Sequence, residues 1–394
     1  MHELVAIDLP GGPAFDAALR RAWDDGDAVI PVDQRLPRQV QVTLLDQARP
    51  HAIIGGTEGT RVPLQPDAPL MEDGDALVIA SSGSTGTPKL IVHTDESLSR
   101  HAWAVHSRLE VDPARDRWLA CLPLGHLGGL GVLIRSIITD TPVDVFDRFS
   151  ASDVAAAPAV LGTTLVSLVP TALDRMDASA FRKVVVGGAA DPVMRPDNVV
   201  RTYGLTETCG GVVYDGKPLD GVDVRIREGG VIAIRGGVLS RGIRTKSGEV
   251  TRVADDEGWF ETGDLGHWDG YSKLVVDGRS EDLIVSGGEN VWPAPVEAVL
   301  ASHPGVAEVR VVGRPDHEWG ERVVAVVVPA NPAWPPSLDE LRGHAGLTLP
   351  SYAAPKELVI VESLPRTLLG KIRRPRFDDP PPEAISARRA KRGG

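Results

Sequence analysis

The sequence predicts an α/β protein: a large N-terminal domain of mainly parallel sheets with a β-rich subdomain, followed by a small α+β domain. Three stretches carry that expectation. Between Asp75 and Gly204, short apolar runs at 118–122, 143–146, 163–169 and 184–186 alternate with helix-like segments such as 127–138, the rhythm of crossover units joining parallel strands. From Val222 to Val276 the pattern becomes short β-like runs, such as 222–226 and 231–234, separated by Gly-rich turns. After Arg279 it changes again, to strand 283–285, helix 295–301, strands 306–312 and 323–328, and helix 338–347. Domains are expected at 1–280 and 281–377. In 378–394 a proline run meets Arg388, Arg389, Lys391 and Arg392, which reads as a disordered tail.

In the large domain, 76–80 reads as a buried strand and leads into Ser81, Ser82, Gly83, Ser84, Thr85, Gly86, Thr87, Pro88 and Lys89. This composition suits polyphosphate: glycines let the backbone approach an anion, the hydroxyls add donors, and Lys89 supplies charge. A flexible linker has similar composition. A linker would not separate an apolar strand from 93–105, which opens on the capping candidates Thr94 and Asp95 and reads as helix. Pro88 stands where a Walker A loop needs glycine, which disfavours a P-loop NTPase.

At 394 residues and 42% hydrophobic content, the chain has length for about two or three domains and a large core. A formal charge of −12, from 42 basic and 54 acidic residues, offers no basic stripe for nucleic acid and argues against anionic membranes. A small-molecule substrate is expected. Cys121 and Cys209 lie far apart in sequence with no His at ligand spacing, so neither a disulfide framework nor a zinc site is expected. Residues 1–8 carry acids where a secretory signal carries basic residues, and no apolar run is long enough to span a bilayer; the cytoplasm is the expected location.

Four further motifs carry chemistry. Tyr203, Gly204, Leu205, Thr206, Glu207 and Thr208 bring together an aromatic face, a hydroxyl and a carboxylate, which suit a base, a phosphate and magnesium, although such strings are more often strand-end turns. Asp264, in Thr262-Gly263-Asp264, could accept hydrogen bonds from ribose hydroxyls, and Gly-Asp is also a common turn. Asp277 to Asp282, followed by Ser286-Gly287-Gly288-Glu289-Asn290, places Arg279 and Glu281 at the expected domain boundary. Near the C-terminus, Gly370 precedes Lys371, where a surface lysine is the ordinary explanation.

In this order and spacing, the motifs from about Ala76 to Arg374 resemble those of the acyl-adenylate-forming ligase superfamily, which includes acyl-CoA synthetases, luciferases and adenylation domains. The resemblance implies that the loop from Ser81 to Lys89 holds the β- and γ-phosphates of ATP. It implies that Tyr203 stacks on adenine beside Gly187, Gly188, Ala189 and Ala190, that Thr206 contacts the α-phosphate, and that Glu207 holds Mg2+. Asp264 and Arg279 would bind the ribose hydroxyls, Glu281 would be the hinge about which a mobile small domain turns, and Lys371 would be the catalytic lysine of adenylation. Three departures stand out. The hinge is usually Asp or Lys rather than Glu281, Thr367-Leu368-Leu369 replaces a common turn-forming pair before Gly370, and the segment before Asp75 is shorter than in typical members.

The stretch from Leu122 to Leu130 and Arg135 is similar to the acyl-pocket helix of the o-succinylbenzoate-CoA ligase family of menaquinone biosynthesis. That likeness implies His126 and Gly187 at the acyl site, Arg135 on the distal carboxylate of a keto-diacid, and CoA as co-substrate. His126 could instead be a helix cap or a satisfied core residue, and Arg135 could face solvent. Another aromatic or aliphatic acid, a carrier-protein thiol as acceptor, and a non-catalytic nucleotide-binding relative remain alternatives. A homodimer is left open.

Overall fold

A computed structural model describes residues 2–56, 59–81, 88–188 and 195–366. It divides into two compact units, one formed by Met1–Glu228, Ile232–Thr262 and His267–Val275, the other by Gly229–Val231, Gly263–Gly266 and Val276–Gly394.

The parallel part of the first unit is two sheets. The first has eight strands, in the order Val250–Thr251, Gly242–Arg244, Lys89–Thr94, Asp75–Ser81, Ala28–Pro31, Leu4–Asp8, Ala52–Gly55 and Thr60–Pro63. Leu4–Asp8 pairs in parallel with Ala28–Pro31 and Ala52–Gly55, and the strands toward both edges are antiparallel. The central strands are apolar without alternation because both faces are covered, as the complete burial of Leu4, Val5, Ala6 and Ile7 shows. The short segment before Asp75 thus supplies half the strands of this sheet.

Two expectations need correction here. The apolar run after Pro88 continues as the strand Lys89–Thr94, antiparallel to Asp75–Ser81, so the polyphosphate-like loop joins two strands of a hairpin and the helix starts only at Asp95. Thr94 caps that helix by accepting the Ser97 N–H, and Ser97 Oγ accepts the Thr94 N–H in return. The β-rich stretch from 222 is borne out in part: Val222–Ile226, Val231–Gly236, Trp259–Trp268 and Leu274–Arg279 form a sheet of their own, whereas Gly242–Arg244 and Val250–Thr251 extend the first sheet.

The second sheet has seven strands, in the order Lys217–Pro218, Gly210–Tyr214, Val199–Leu205, Lys183–Val186, Leu165–Leu168, Trp118–Ala120 and Val143–Val145. The five from Val199–Leu205 onward are parallel. Helix Leu127–Ile138 serves both sheets. Its Leu130, Leu133 and Ile134 pack with Ile7, Phe15, Leu77 and Ile79, and its Val132 packs with Trp118, Leu165 and Val213. A helix apolar on nearly every face, as this one is, belongs in an interior.

In the second unit, Val306–Asp316 and Gly320–Pro329 form a long antiparallel pair, flanked by Ile284–Ser286 with Glu289–Val291 and, in parallel, by Glu357–Ile360. Helices Pro293–Ala301 and Leu338–Ala345 close a core of Val296, Leu300, Val311, Val323, Val327 and Leu341. The sequence reading missed Glu357–Ile360, whose four half-buried residues carry little pattern.

Candidate active site

The hairpin places Ser81 opposite Lys89, so the ends of the intervening loop meet across one strand pair. Lys89 is exposed, and Gln47 holds the base of the loop by donating to the Pro88 carbonyl at 2.9 Å. Residues Ser82, Gly83, Ser84, Thr85, Gly86 and Thr87 lie outside the described residues, as do Ala189, Ala190 and Lys371.

Strand Val199–Leu205 ends in a single 3-10 turn, Thr206–Thr208, before the chain reverses into Gly210–Tyr214. The turn is held by its backbone. Thr208 Oγ1 accepts the Leu205 N–H at 2.8 Å, the Glu207 carbonyl accepts the Ser240 N–H at 2.8 Å, and the Thr206 carbonyl accepts from His93 Nε2 at 2.8 Å. Cys209 takes a left-handed conformation, φ 59°, to make the reversal. Tyr203, Thr206 and Glu207 are all half-buried, with their strand beside the one that leads into Gly187 and Gly188. A Cβ at Gly187 would lie 2.5 Å from Thr202 Oγ1, so only glycine lets the two strand ends approach this closely.

Sequence reasoning missed His93 and Cys209. Their side chains meet at 3.0 Å, Sγ to Nδ1, across 116 positions of sequence. Burial holds His93 down at about 4 and pushes the Cys209 thiol up to about 12, so at neutral pH both are uncharged.

The second unit joins the two ribose candidates directly. Arg279 Nε lies 2.8 Å from Asp264 Oδ1, with Asp264 only 6% exposed. Glu281 stands exposed in the 3-10 turn Ser280–Asp282.

Helix Leu127–Ile138 sends the acyl-site candidates to different sheets. His126 occupies its N-cap position without making a side-chain cap, and its Nε2 lies 3.4 Å from Asp33 Oδ2, just beyond the first-sheet strand Ala28–Pro31. Arg135 is buried at 6% exposure, which contradicts the solvent-facing alternative. Its guanidinium carbon lies 4.9 Å from the Trp118 ring centroid in the second sheet. Nε and Nη1 of Arg135 make no hydrogen bond to the described residues, and no ion pair reaches the side chain among them. The groups around it are neutral. Burial first, then the Arg135 charge, holds His101 down at about 3 and His106 at about 4, while burial raises the Tyr214 phenol. Arg135 itself is lowered by burial, with partial relief from Tyr214.

Comparisons with known proteins bear on the family and the fold. The family described as AMP-binding enzyme matches residues 11–234, and the AMP-binding enzyme C-terminal domain matches residues 295–371. The chain is 39% identical over 330 residues to a probable 2-succinylbenzoate-CoA ligase of Mycobacterium tuberculosis, covering 77% of this chain and 84% of that one. It is 33% identical to the 2-succinylbenzoate-CoA ligase of Bacillus velezensis, covering 80% and 71%. Among solved structures, the o-succinylbenzoate CoA synthetase of Bacillus subtilis in complex with its acyl-adenylate intermediate superposes with a TM-score of 0.82 at 27% identity, covering 96% of this chain and 88% of that chain.

Proposed function

The chain belongs to the AMP-binding enzyme family, and from that premise we propose that it is an ATP-dependent acid-CoA ligase that converts o-succinylbenzoate to o-succinylbenzoyl-CoA. The reaction runs in two steps. A carboxylate of the acid attacks the α-phosphorus of ATP and expels pyrophosphate, leaving an acyl adenylate; the CoA thiol then attacks the acyl carbon and releases AMP. The first step brings two anions together, so positive charge at the phosphates is its main requirement.

In this reading the Ser81 to Lys89 loop holds the β- and γ-phosphates, Thr206 donates to the α-phosphate, and Tyr203 lies against adenine beside Gly187, Gly188 and Ala189. Glu207 holds the Mg2+ that arrives with ATP. Magnesium in such sites is bound by one or two carboxylates plus substrate phosphates, which fits Glu207; among the described residues no group of three or more acidic, His or Cys side chains could cage a metal. When bound, Mg2+ neutralises charge on the phosphates. Asp264, steadied by Arg279, takes the ribose hydroxyls; Glu281 is the hinge, and Lys371 balances charge at the α-phosphate.

The observation that carries the choice of acid is Arg135. A buried guanidinium with free donors and no acid beside it is costly in the empty protein, and a carboxylate of the substrate would relieve that cost. The distal carboxylate of o-succinylbenzoate, the one that is not activated, is such a group. His126 lies at the other end of the same helix. Use of ATP and CoA places the reaction in the cytoplasm.

The test is CoA-dependent thioester formation from ATP with o-succinylbenzoate, benzoate, a fatty acid and acetate side by side. A strong preference for o-succinylbenzoate is expected. Activity confined to another acid would discard the assignment of substrate, acid-dependent pyrophosphate release without CoA consumption would point to a carrier-protein acceptor, and silence on all would favour a non-catalytic relative.

A further inference from the structure

We propose that His93 and Cys209 are positioning residues for the adenylation step, a buried imidazole–thiol brace that fixes the turn carrying Thr206 and Glu207 against the strand that begins at Lys89. The inference rests on the reading of Thr206 and Glu207 given above.

The proton positions follow from the partners. The Thr206 carbonyl can only accept, so His93 Nε2, 2.8 Å away, carries the hydrogen. A neutral ring then presents a bare lone pair at Nδ1, and the Cys209 Sγ stands 3.0 Å from it. Val238 O, at 3.3 Å, and Ser97 Oγ, at 3.8 Å, compete for the single thiol hydrogen. Sending the hydrogen to either would strand Nδ1 in a fully buried site, and Nδ1 is the nearest of these acceptors. The thiol therefore donates to Nδ1, which selects the tautomer that holds Thr206.

The consequence is geometric. One ring grips the turn at both ends, through the carbonyl of Thr206 and the side chain of Cys209. That ring sits on the strand Lys89–Thr94, whose first residue closes the phosphate-loop hairpin opposite Ser81. The elements assigned to the α-phosphate with its magnesium and to the β- and γ-phosphates are thus held in register by one side chain. Cys209 does not act as a nucleophile, being buried and held as the thiol.

The experiment compares the two half-reactions in Cys209→Ala and Cys209→Ser. Pyrophosphate release is measured with o-succinylbenzoate over a range of MgATP and Mg2+ concentrations, and thioester formation is measured separately from pre-made acyl adenylate and CoA. Cys209→Ala is expected to lower kcat for adenylation roughly tenfold and to raise the Mg2+ needed for half-maximal rate, as loss of a supporting hydrogen bond commonly does. The KM for the acid and the thioester step should stay within about twofold of the parent. Cys209→Ser, whose hydroxyl also donates to Nδ1, should restore adenylation. If Cys209→Ala fails to fold, His93→Gln is read in the same way, since its amide keeps the bond to Thr206 and loses the one to the thiol.

Equal loss of both half-reactions, or wild-type adenylation in Cys209→Ala, overturns the brace. Glu207→Gln, run in parallel, separates the two levels of the argument. Impaired Glu207→Gln beside normal Cys209→Ala sinks the brace alone, and normal adenylation in Glu207→Gln sinks the reading of the turn and the brace with it.

Discussion

Asp33 Oδ2 lies 3.4 Å from His126 Nε2, which ties the start of helix Leu127–Ile138 to the segment after the strand Ala28–Pro31. A Cβ at Gly125 would fall 2.5 Å from the Asp33 Cβ, so the glycine makes this approach possible. Burial would raise the Asp33 carboxyl, but hydrogen bonds from Arg35 and His126 outweigh it and hold the group well below the usual carboxylate range. Asp33 is thus an anion at working pH and orients the His126 ring. Asp33→Asn is expected to raise the KM for the acid about tenfold while leaving that for ATP unchanged, by analogy with other orienting partners. Parallel rises in both constants would remove His126 from the acyl site.

Arg135 allows a prediction in which binding and stability move in opposite directions. Arg135→Met keeps most of the side-chain volume and removes a buried, unpaired charge, so thermal stability should hold or rise. The same variant should lose a charged hydrogen bond of about 2 kcal/mol to a dicarboxylic acid, roughly a thirtyfold rise in its KM, with little change for ATP. Steady-state kinetics beside a melting curve measures both. A fall in stability with an unchanged acid KM would make Arg135 a structural residue.

Three buried histidines set the acid side of the stability profile. Burial holds His93 and His106 down at about 4 and His101 at about 3, each below the unfolded value near 6.5. Above that value both states are neutral and nothing is contributed. As pH falls below it, the unfolded chain takes up protons that the native state refuses, so stability drops until the native pKa values are reached, at up to about 1.4 kcal/mol per pH unit for each group. Urea midpoints should therefore be lower at pH 5 than at pH 7.5. His101→Gln, whose amide can still donate to the Gly211 carbonyl, should flatten the slope; an unaltered slope would show that other groups govern it.

The role proposed for Lys371 distinguishes the two half-reactions. Lys371→Ala should abolish pyrophosphate release and spare thioester formation from pre-made acyl adenylate, because its charge is needed only while the α-phosphate reacts. Equal loss of both would contradict the role assigned to it.

Much of the architecture was legible in local pattern. The helix expected at 127–138 is found at those bounds, and the strands at 184–186 and 222–226 lie within a residue of their expected limits, because continuous apolar runs between turn signals leave few alternatives. The strand Lys89–Thr94 was hidden because the capping signal of Thr94 drew the helix start toward it, and a capping signal does not say what precedes it. Which strand joins which sheet was invisible for a similar reason: an apolar strand reads the same whichever sheet it joins.

The same contrast holds for the site. By itself the sequence determined the candidate nucleotide-handling groups, since loops and turns that bind phosphate need particular residue types at fixed local spacing, as proposed for Ser81 to Lys89 and Tyr203 to Thr208. The tertiary structure decided what those groups lean on. Asp33 reaches His126, Cys209 reaches His93, and Trp118 faces Arg135, across 93, 116 and 17 positions respectively. Hydrogen bonds and ring contacts of this kind depend on which strands become neighbours, and that choice is made by burial of apolar surface summed over the whole unit rather than by any local string of residues.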